Sequence, residues 1–525
     1  MGSPSESSAW QSLRAHSEQF KQRDFRLGTL FTDSPDRFDK FSLRHEDVLL
    51  DFSKNYLTEA TLELLLELAG QQQLSAAIEA MFKGAMINGS EQRAAAHVVL
   101  REPATTCQFE EVARTLTRME EFVNRVQSGI WHGFSGKPIT DVVNLGVGGS
   151  DLGPALVVSA LQHQATGHIK MHFVSNIDPM QIDATLSQLL PETTLFIVAS
   201  KSFTTLETLH NANSALSWLQ LNGAAESAIP QHFVAVTAEP AAAAAFGIEP
   251  SAIFPMWDWV GGRFSLWSAI GLPIALALGM DQFRQLLAGA HSMDQHFRQA
   301  PLSANMPVLL ALTAIWYQGF FDSHSTAVVP YSHALRHMPG FLQQLSMESL
   351  GKSVDREHRP VSIRTGDIVW GTAGTDVQHA CMQLLHQGTE FVPVDFIAFA
   401  ANIPQLDNTA NQQLLANCFS QSLALMEGTD NTQEPYRSIV GNKPSNTLLL
   451  RELSPYSLGS LLALYEHKVY VQSVIWNINA FDQWGVELGK QISRDIFGAL
   501  TEAAQQPQLD ASTRNLIAQV KQWNR

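Results

Sequence analysis

The chain has 525 residues, 34 of them basic and 50 acidic, so it carries a net charge of −16, and its residues are 45% hydrophobic but only 16% charged. That apolar share excludes a disordered chain, which pairs high net charge with few apolar residues, and the acidic balance argues against a general nucleic-acid binder, which needs basic surface to displace counterions. The length calls for two or three domains, because single cores stop growing at about 250–300 residues.

In chain order, the first 120 or so residues read as mostly helical. Leu57 to Leu68 and Glu91 to Leu100 are runs at helical period. From about residue 121 the texture changes to short apolar runs separated by helix-sized gaps. Val142–Val147, Ile169–Val174, Leu195–Ala199 and Phe233–Val236 are the strand candidates. Such alternation predicts βαβ units and a parallel sheet. The five alanines between Glu239 and Pro250 predict a short helix, and the apolar stretch Phe264 to Met280 a buried one, too short to span a membrane. A second alternation begins near Val328 and includes Ile368–Trp370 and Phe391–Phe396. Leu458 to Asn477 reads as helical, and a last helix ends the chain. The expected fold class is α/β, two α/β/α sandwiches with mainly parallel sheets and helical terminal segments.

Cys107, Cys381 and Cys418 lie far apart, without a metal or disulfide framework. The start, Met1-Gly2-Ser3-Pro4-Ser5-Glu6, lacks the basic and apolar regions of a signal peptide. The expectation is a soluble cytoplasmic protein with no membrane or nucleic-acid partner.

Several motifs were weighed by their chemistry. Asn144-Leu145-Gly146-Val147-Gly148-Gly149-Ser150-Asp151-Leu152-Gly153-Pro154 follows a strand and opens a helix. It is not a dinucleotide fingerprint, because Asp151 stands where the third small residue is needed, and not a nucleophile elbow. Alone it is either a tight turn or a site for an anion or sugar. Ser346 to Ser353 would be a P-loop only if Ser346 were glycine. Ser200-Lys201-Ser202-Phe203-Thr204-Thr205-Leu206-Glu207 follows a strand, and the Thr204–Glu207 spacing predicts a capping box. Its hydroxyls and lysine either cap a helix or bind a phosphate. No His-Glu-x-x-His occurs, and His379 and His386 are seven apart without an acidic partner at ligand spacing, so no metal site is expected.

Taken together, these segments resemble the phosphoglucose isomerase family. Trp259 through Gly271 and Phe481 through Lys490 are similar to its two diagnostic patterns. Gln343 through Ser349, Gly374 through His379, Arg37 through Ser42 and Ile87 through Arg93 match in the same order, over nearly the whole chain. The resemblance implies two sugar-isomerase domains, a smaller one over 121–287 set between the parts 1–120 and 288–525 of a larger one. It implies a homodimer whose site takes its histidine from the partner subunit, and interconversion of glucose 6-phosphate and fructose 6-phosphate without metal or organic cofactor.

By the same resemblance, Glu348 is the base that moves a proton between C1 and C2, and Arg263 steadies the charge of the enediolate. His379 and Lys490 open the ring, with His379 the proton shuttle because an imidazole changes charge near neutral pH. Glu207 orients part of that network. Ser200, Lys201, Ser202 and Thr205 correspond to the phosphate pocket, and Gly149, Ser150, Gly262, Gln344 and Gln483 to further substrate contacts. The chain departs from the usual family pattern at Ser202, Leu206, Ser346, Leu350, Thr372-Ala373, Asp376-Val377 and Lys443. None of these removes a matched catalytic group. A non-catalytic sugar-phosphate-binding regulator on the same domains, and specificity for another hexose phosphate, are the rival readings.

Overall fold

The computed structural model describes every residue except 1, 104, 106, 108, 166, 402–406, 502–508 and 525. The chain falls into two compact units, Met1–Ala480 and Phe481–Arg525. The first unit holds two sheets.

One sheet has five parallel strands, β3 (Asp141–Gly146), β4 (Lys170–Val174), β5 (Thr194–Ala199), β6 (Phe233–Thr237) and β7 (Ile253–Pro255), in the order β4-β3-β5-β6-β7. Its central strand β5 is buried at every residue, as expected when helices cover a parallel sheet. The four strands expected here are present within a residue or so. β7 was not foreseen; it is three residues long and ends on proline.

The other sheet takes its strands from both ends of the unit. It contains β1 (Ser42–His45), β2 (Val48–Asp51), β8 (Ser325–Pro330), β9 (Ile368–Trp370), β10 (Val394–Phe399) and β11 (Ser445–Leu450), in the order β1-β2-β11-β10-β8-β9. β11, β10, β8 and β9 run parallel, and the β1–β2 hairpin adds antiparallel to β11. The fold is therefore α/β with mainly parallel sheets, as the alternation predicted.

Two helical expectations are corrected. Residues 1–120 contain the β1–β2 hairpin, and Glu91–Leu100 is not an α-helix. Gln92 takes a left-handed backbone (φ 53°), Asn88 bridges Arg93, and only His97–Arg101 coils, as a 3₁₀ turn. A side chain at left-handed φ ends helical propagation. Phe264 to Met280 is buried as expected, but its α-helix is confined to Leu272–Leu278 after two 3₁₀ turns. The helices Glu59–Gln71, Pro240–Ala245, Pro455–Ile475 and Ala511–Trp523 match expectation.

Pro455–Ile475 is the central helix of the first unit, with all but one of its residues buried. It crosses Met280–Gln299 at Gly459, where a Cβ would stand 2.0 Å from the Leu286 carbonyl oxygen. Only glycine permits that approach. The two helices enclose a charged cluster. Arg101 donates to both oxygens of Asp294 at 2.9 and 2.6 Å and to Glu466 at 2.5 Å, and Asp294 also bonds His467 at 2.7 Å. Among the described residues, no helix is long and apolar enough to cross a membrane.

Candidate active site

Two glycine-rich turns and one distorted helix meet at the carboxyl end of β3. Gly146 ends that strand, a 3₁₀ turn spans Gly148–Ser150, and the helix Leu152–Leu161 follows. Ligands in parallel sheets bind at this end of the strands. A Cβ on Gly149 would lie 1.9 Å from the Gly262 carbonyl oxygen, so the turn touches the Gly262–Phe264 turn backbone to backbone. That contact explains the glycine at position 149.

Arg263 sits on the second turn and is 3% exposed. Its Nε donates to Ser349 Oγ at 2.6 Å, and Nη2 donates to the Ala480 carbonyl. Nη1 lies 3.4 Å from Glu348 Oε2. Glu348 itself is half-buried and ends a π-helical stretch, Gln343–Glu348. Such widened turns recur at functional sites because they re-aim side chains. Gln344, one turn earlier, donates from Nε2 to the same Glu348 Oε2 at 3.2 Å. Gly148 lies beside that amide, 2.9 Å from where its Cβ would be. Arg263, Glu348, Gln344, Gly149 and Gly262 are thus brought together.

The Ser200–Glu207 segment leaves the carboxyl end of β5. The helix starts at Leu206 with Thr205 as its N-cap, and no side chain caps it. The capping box is therefore corrected. Thr204 Oγ1 bonds Ser202 Oγ at 2.7 Å, and Thr205 Oγ1 bonds Ser200 Oγ at 3.0 Å. The hydroxyls pair with one another and leave the first helical amides to other acceptors. Lys201 Nζ donates to the carbonyls of Asp258 and Val260 at 3.1 and 3.0 Å. Burial lowers its pKa, opposed by Asp258. These bonds tie the hydroxyl loop to the strand end that leads into Arg263. Glu207 lies in the first turn of the helix.

His379 is exposed on the 3₁₀ turn Asp376–His379, outside the hydrogen-bonded cluster. Gln483 and Lys490 belong to the second unit, where Lys490 Nζ pairs with Glu487 Oε1 at 2.7 Å. Ser150 follows the glycine pair, and its carbonyl accepts from Asn144 Nδ2 at 2.9 Å. Sequence reasoning did not single out Ser349, Asp258 or Val260. Two of these act through backbone carbonyls, which leave no signature in residue type.

The sequence matches the family model described as "Phosphoglucose isomerase" over residues 51–517. It is 48% identical to "Glucose-6-phosphate isomerase 1" of Thiobacillus denitrificans, over 98% of this chain and 97% of that one. It is also 48% identical to the glucose-6-phosphate isomerase of Pseudomonas syringae pv. tomato, over 97% and 96% of the two chains. The fold superposes on the crystal structure of a glucose-6-phosphate isomerase from Chlamydia trachomatis with a TM-score of 0.88 and 32% identity, covering 99% of this chain and 100% of that one.

Proposed function

The chain belongs to the phosphoglucose isomerase family, and from that premise we propose that Glu348 and Arg263 form its reaction centre. The protein is an aldose–ketose isomerase. It interconverts glucose 6-phosphate and fructose 6-phosphate, in glycolysis and gluconeogenesis, by ring opening and a cis-enediol(ate) intermediate.

In the proposed mechanism the Glu348 carboxylate removes the proton from C2 of the open aldose. The C–H electrons form the C1–C2 double bond, and the carbonyl pair moves to O1. A proton passes from O2 to O1, and as Glu348 returns its proton to C1 the O2 electron pair forms the C2 carbonyl, which gives the ketose. What carries this reading is the 3.4 Å approach of Arg263 Nη1 to Glu348 Oε2. Gln344 also binds Oε2, so Oε1 is the oxygen left to take the proton. Ser349 and the Ala480 carbonyl orient Arg263 before substrate arrives. A fixed cation in a buried setting stabilises developing oxyanion charge without reorganising. His379 and Lys490 act as the ring-opening acid and base. Ser200, Lys201, Ser202, Thr205 and the uncapped helix start take the phosphate, with Gly149, Ser150, Gly262, Gln344 and Gln483 contacting the sugar. Holding the remote phosphate converts binding energy into orientation at C1 and C2.

The active form is a homodimer in which the partner subunit's His379 completes the site. The smaller domain spans 121–287, set within 1–120 and 288–525. Strand placement supports this, since β3–β7 lie wholly inside 121–287 and β1, β2 and β8–β11 outside it.

A coupled assay with purified protein and fructose 6-phosphate tests the function. Turnover is expected, with solvent deuterium appearing at C2 of the product. An inactive but folded protein that still binds the sugar phosphate would instead make it a regulator. A catalytically competent monomer would remove the trans histidine.

A further inference from the structure

Behind the turn that carries Glu348 lies a second polar site with no part in the chemistry above. A buried cavity of about 20 Å³ is faced by Thr326, Ser346, Asp367, Tyr465, Lys468 and Gln472. That is room for about one water. Leu342, Ser346 and Leu350, spaced four apart, line the cavity. Gln344 and Glu348, also four apart, bond each other on the other side, beside Arg263. One helical turn therefore has the reaction centre before it and a polar cavity behind it.

The polar groups of the cavity are arranged around one carboxyl. Asp367 is 8% exposed, and Thr326 Oγ1 donates to its Oδ2. Its buried Oδ1 makes no hydrogen bond within 3.5 Å among the described residues, although the Gln318 amide faces the carboxyl and favours its charged form. Lys468 Nζ donates to Asp395 Oδ2 at 3.2 Å, and Tyr465 donates to the same oxygen at 3.2 Å. An ammonium has three donors, so Lys468 has capacity beyond Asp395. A buried carboxylate oxygen without a donor is strongly unfavourable, and a water with two to four polar partners relieves it.

We propose that the cavity binds one ordered water that bridges Asp367 and Lys468 to the Ser346 hydroxyl, making Asp367 a positioning residue for Glu348. The water accepts from Lys468 Nζ, donates one proton to Asp367 Oδ1 and the other to Ser346 Oγ. Asp367 thereby holds the widened Gln343–Glu348 turn in register from behind. The phosphate-binding residues are on a different segment, so loosening this tether displaces the base while the phosphate stays held. The inference rests on Glu348 being the base.

The test is steady-state kinetics on the purified full-length protein, with folding checked by circular dichroism and melting temperature. Asp367→Ala and Ser346→Ala are each expected to lower kcat about tenfold with KM changed less than about twofold, as expected for a misplaced catalytic group. The double variant should lose little more than either single one, because both act through one water. Asp367→Asn keeps an acceptor oxygen in place and should recover most of the rate. A crystal structure should show density for the water. Unchanged kcat in folded Ser346→Ala, additive losses, or a dry cavity would overturn the proposal. A lower melting temperature with unaltered kcat would reduce Asp367 to a purely structural residue and overturn it too. If Asp367→Ala does not fold, Ser346→Ala decides. Failure of the base assignment is seen separately, as turnover that survives Glu348→Gln.

Discussion

Two arginines meet carboxylates inside this chain, and they are used in opposite ways. Arg101 engages Asp294 bidentately and Glu466 at 2.5 Å, and Trp267 Nε1 donates to the other Glu466 oxygen at 2.9 Å. Both carboxyls there are enclosed and bonded to the one arginine at short range. Arg263 is as deeply buried, but its Nε and Nη2 bond neutral acceptors, and its carboxylate stands 3.4 Å away with its side chain 25% exposed. A hydroxyl and a carbonyl fix the orientation of this guanidinium. The closed cluster locks its carboxylates inside the fold, and the looser one leaves a carboxylate part exposed, where a ligand can reach it. Sequence proximity hides this difference, since Phe264, the neighbour of Arg263, packs tilted against His97 beside the closed cluster, ring centroids 4.6 Å apart.

The contrast is breakable by substitution. The largest effect is expected from Glu348→Gln, which should reduce kcat about 10³- to 10⁴-fold, the upper range for a positioned base, while leaving the melting temperature nearly unchanged. Steady-state rates and calorimetry read both.

Glu466→Gln should do the reverse. It should cost about 1–3 kcal/mol of stability, as leaving a buried donor short of an acceptor does, while isomerase turnover per folded molecule stays close to the parent's. A pH series sharpens this point. Burial holds His97 and His467 well below the usual imidazole pKa of 6.5. The unfolded chain therefore takes protons that the fold refuses, and these histidines lose stability as pH falls below 6.5. Burial lifts Asp294 and Glu466 up to about 7, against the pull of Arg101. Raised carboxyls give stability that is full at low pH and lost as pH rises toward 7. The two effects offset each other in the parent. Removing Glu466 removes part of the offset, so the variant should weaken more steeply than the parent between pH 7 and pH 5. Equal slopes in denaturant titrations would show the offset is not there.

Arg263→Lys keeps the charge but not the fork of donors, and should lower kcat about 10²-fold, comparable to losing one oxyanion donor. Smallest is Lys201→Gln, expected to raise KM about tenfold with kcat little altered, the loss of one charge-assisted contact. A Lys201→Gln variant that loses kcat instead would mean that this lysine acts on the chemistry.

Much of the fold was legible where strands are fully buried and separated by helices, because continuous apolar runs such as Leu195–Ala199 have few other uses. What escaped were elements defined by partners rather than by their own pattern. β1 and β2 are four residues each, β7 is three, and β11 reads as an ordinary apolar segment until paired with β10 and β2. The capping box at Thr204 failed for a similar reason, since its spacing was right but Ser202 competed for the hydroxyl. In the site, residue identities came from resemblance to a family. The contact of the Gly149 and Gly262 turns, and the carbonyls holding Lys201, depend on distant backbone that no local pattern encodes.

The hairpin at the edge of the six-stranded sheet also sets an order of events. Asp51 finds its partner in Thr447, near the far end of the polypeptide. At ribosomal speeds of about 5–20 residues per second, β11 emerges on the order of tens of seconds after β2 is made. The five-stranded sheet, complete by Pro255, can close during that wait. The other sheet cannot, and the nascent hairpin must stay unpaired or be shielded by chaperones until synthesis passes Leu450. A transcript truncated before Ser445 would release a chain with one finished sheet and one open edge.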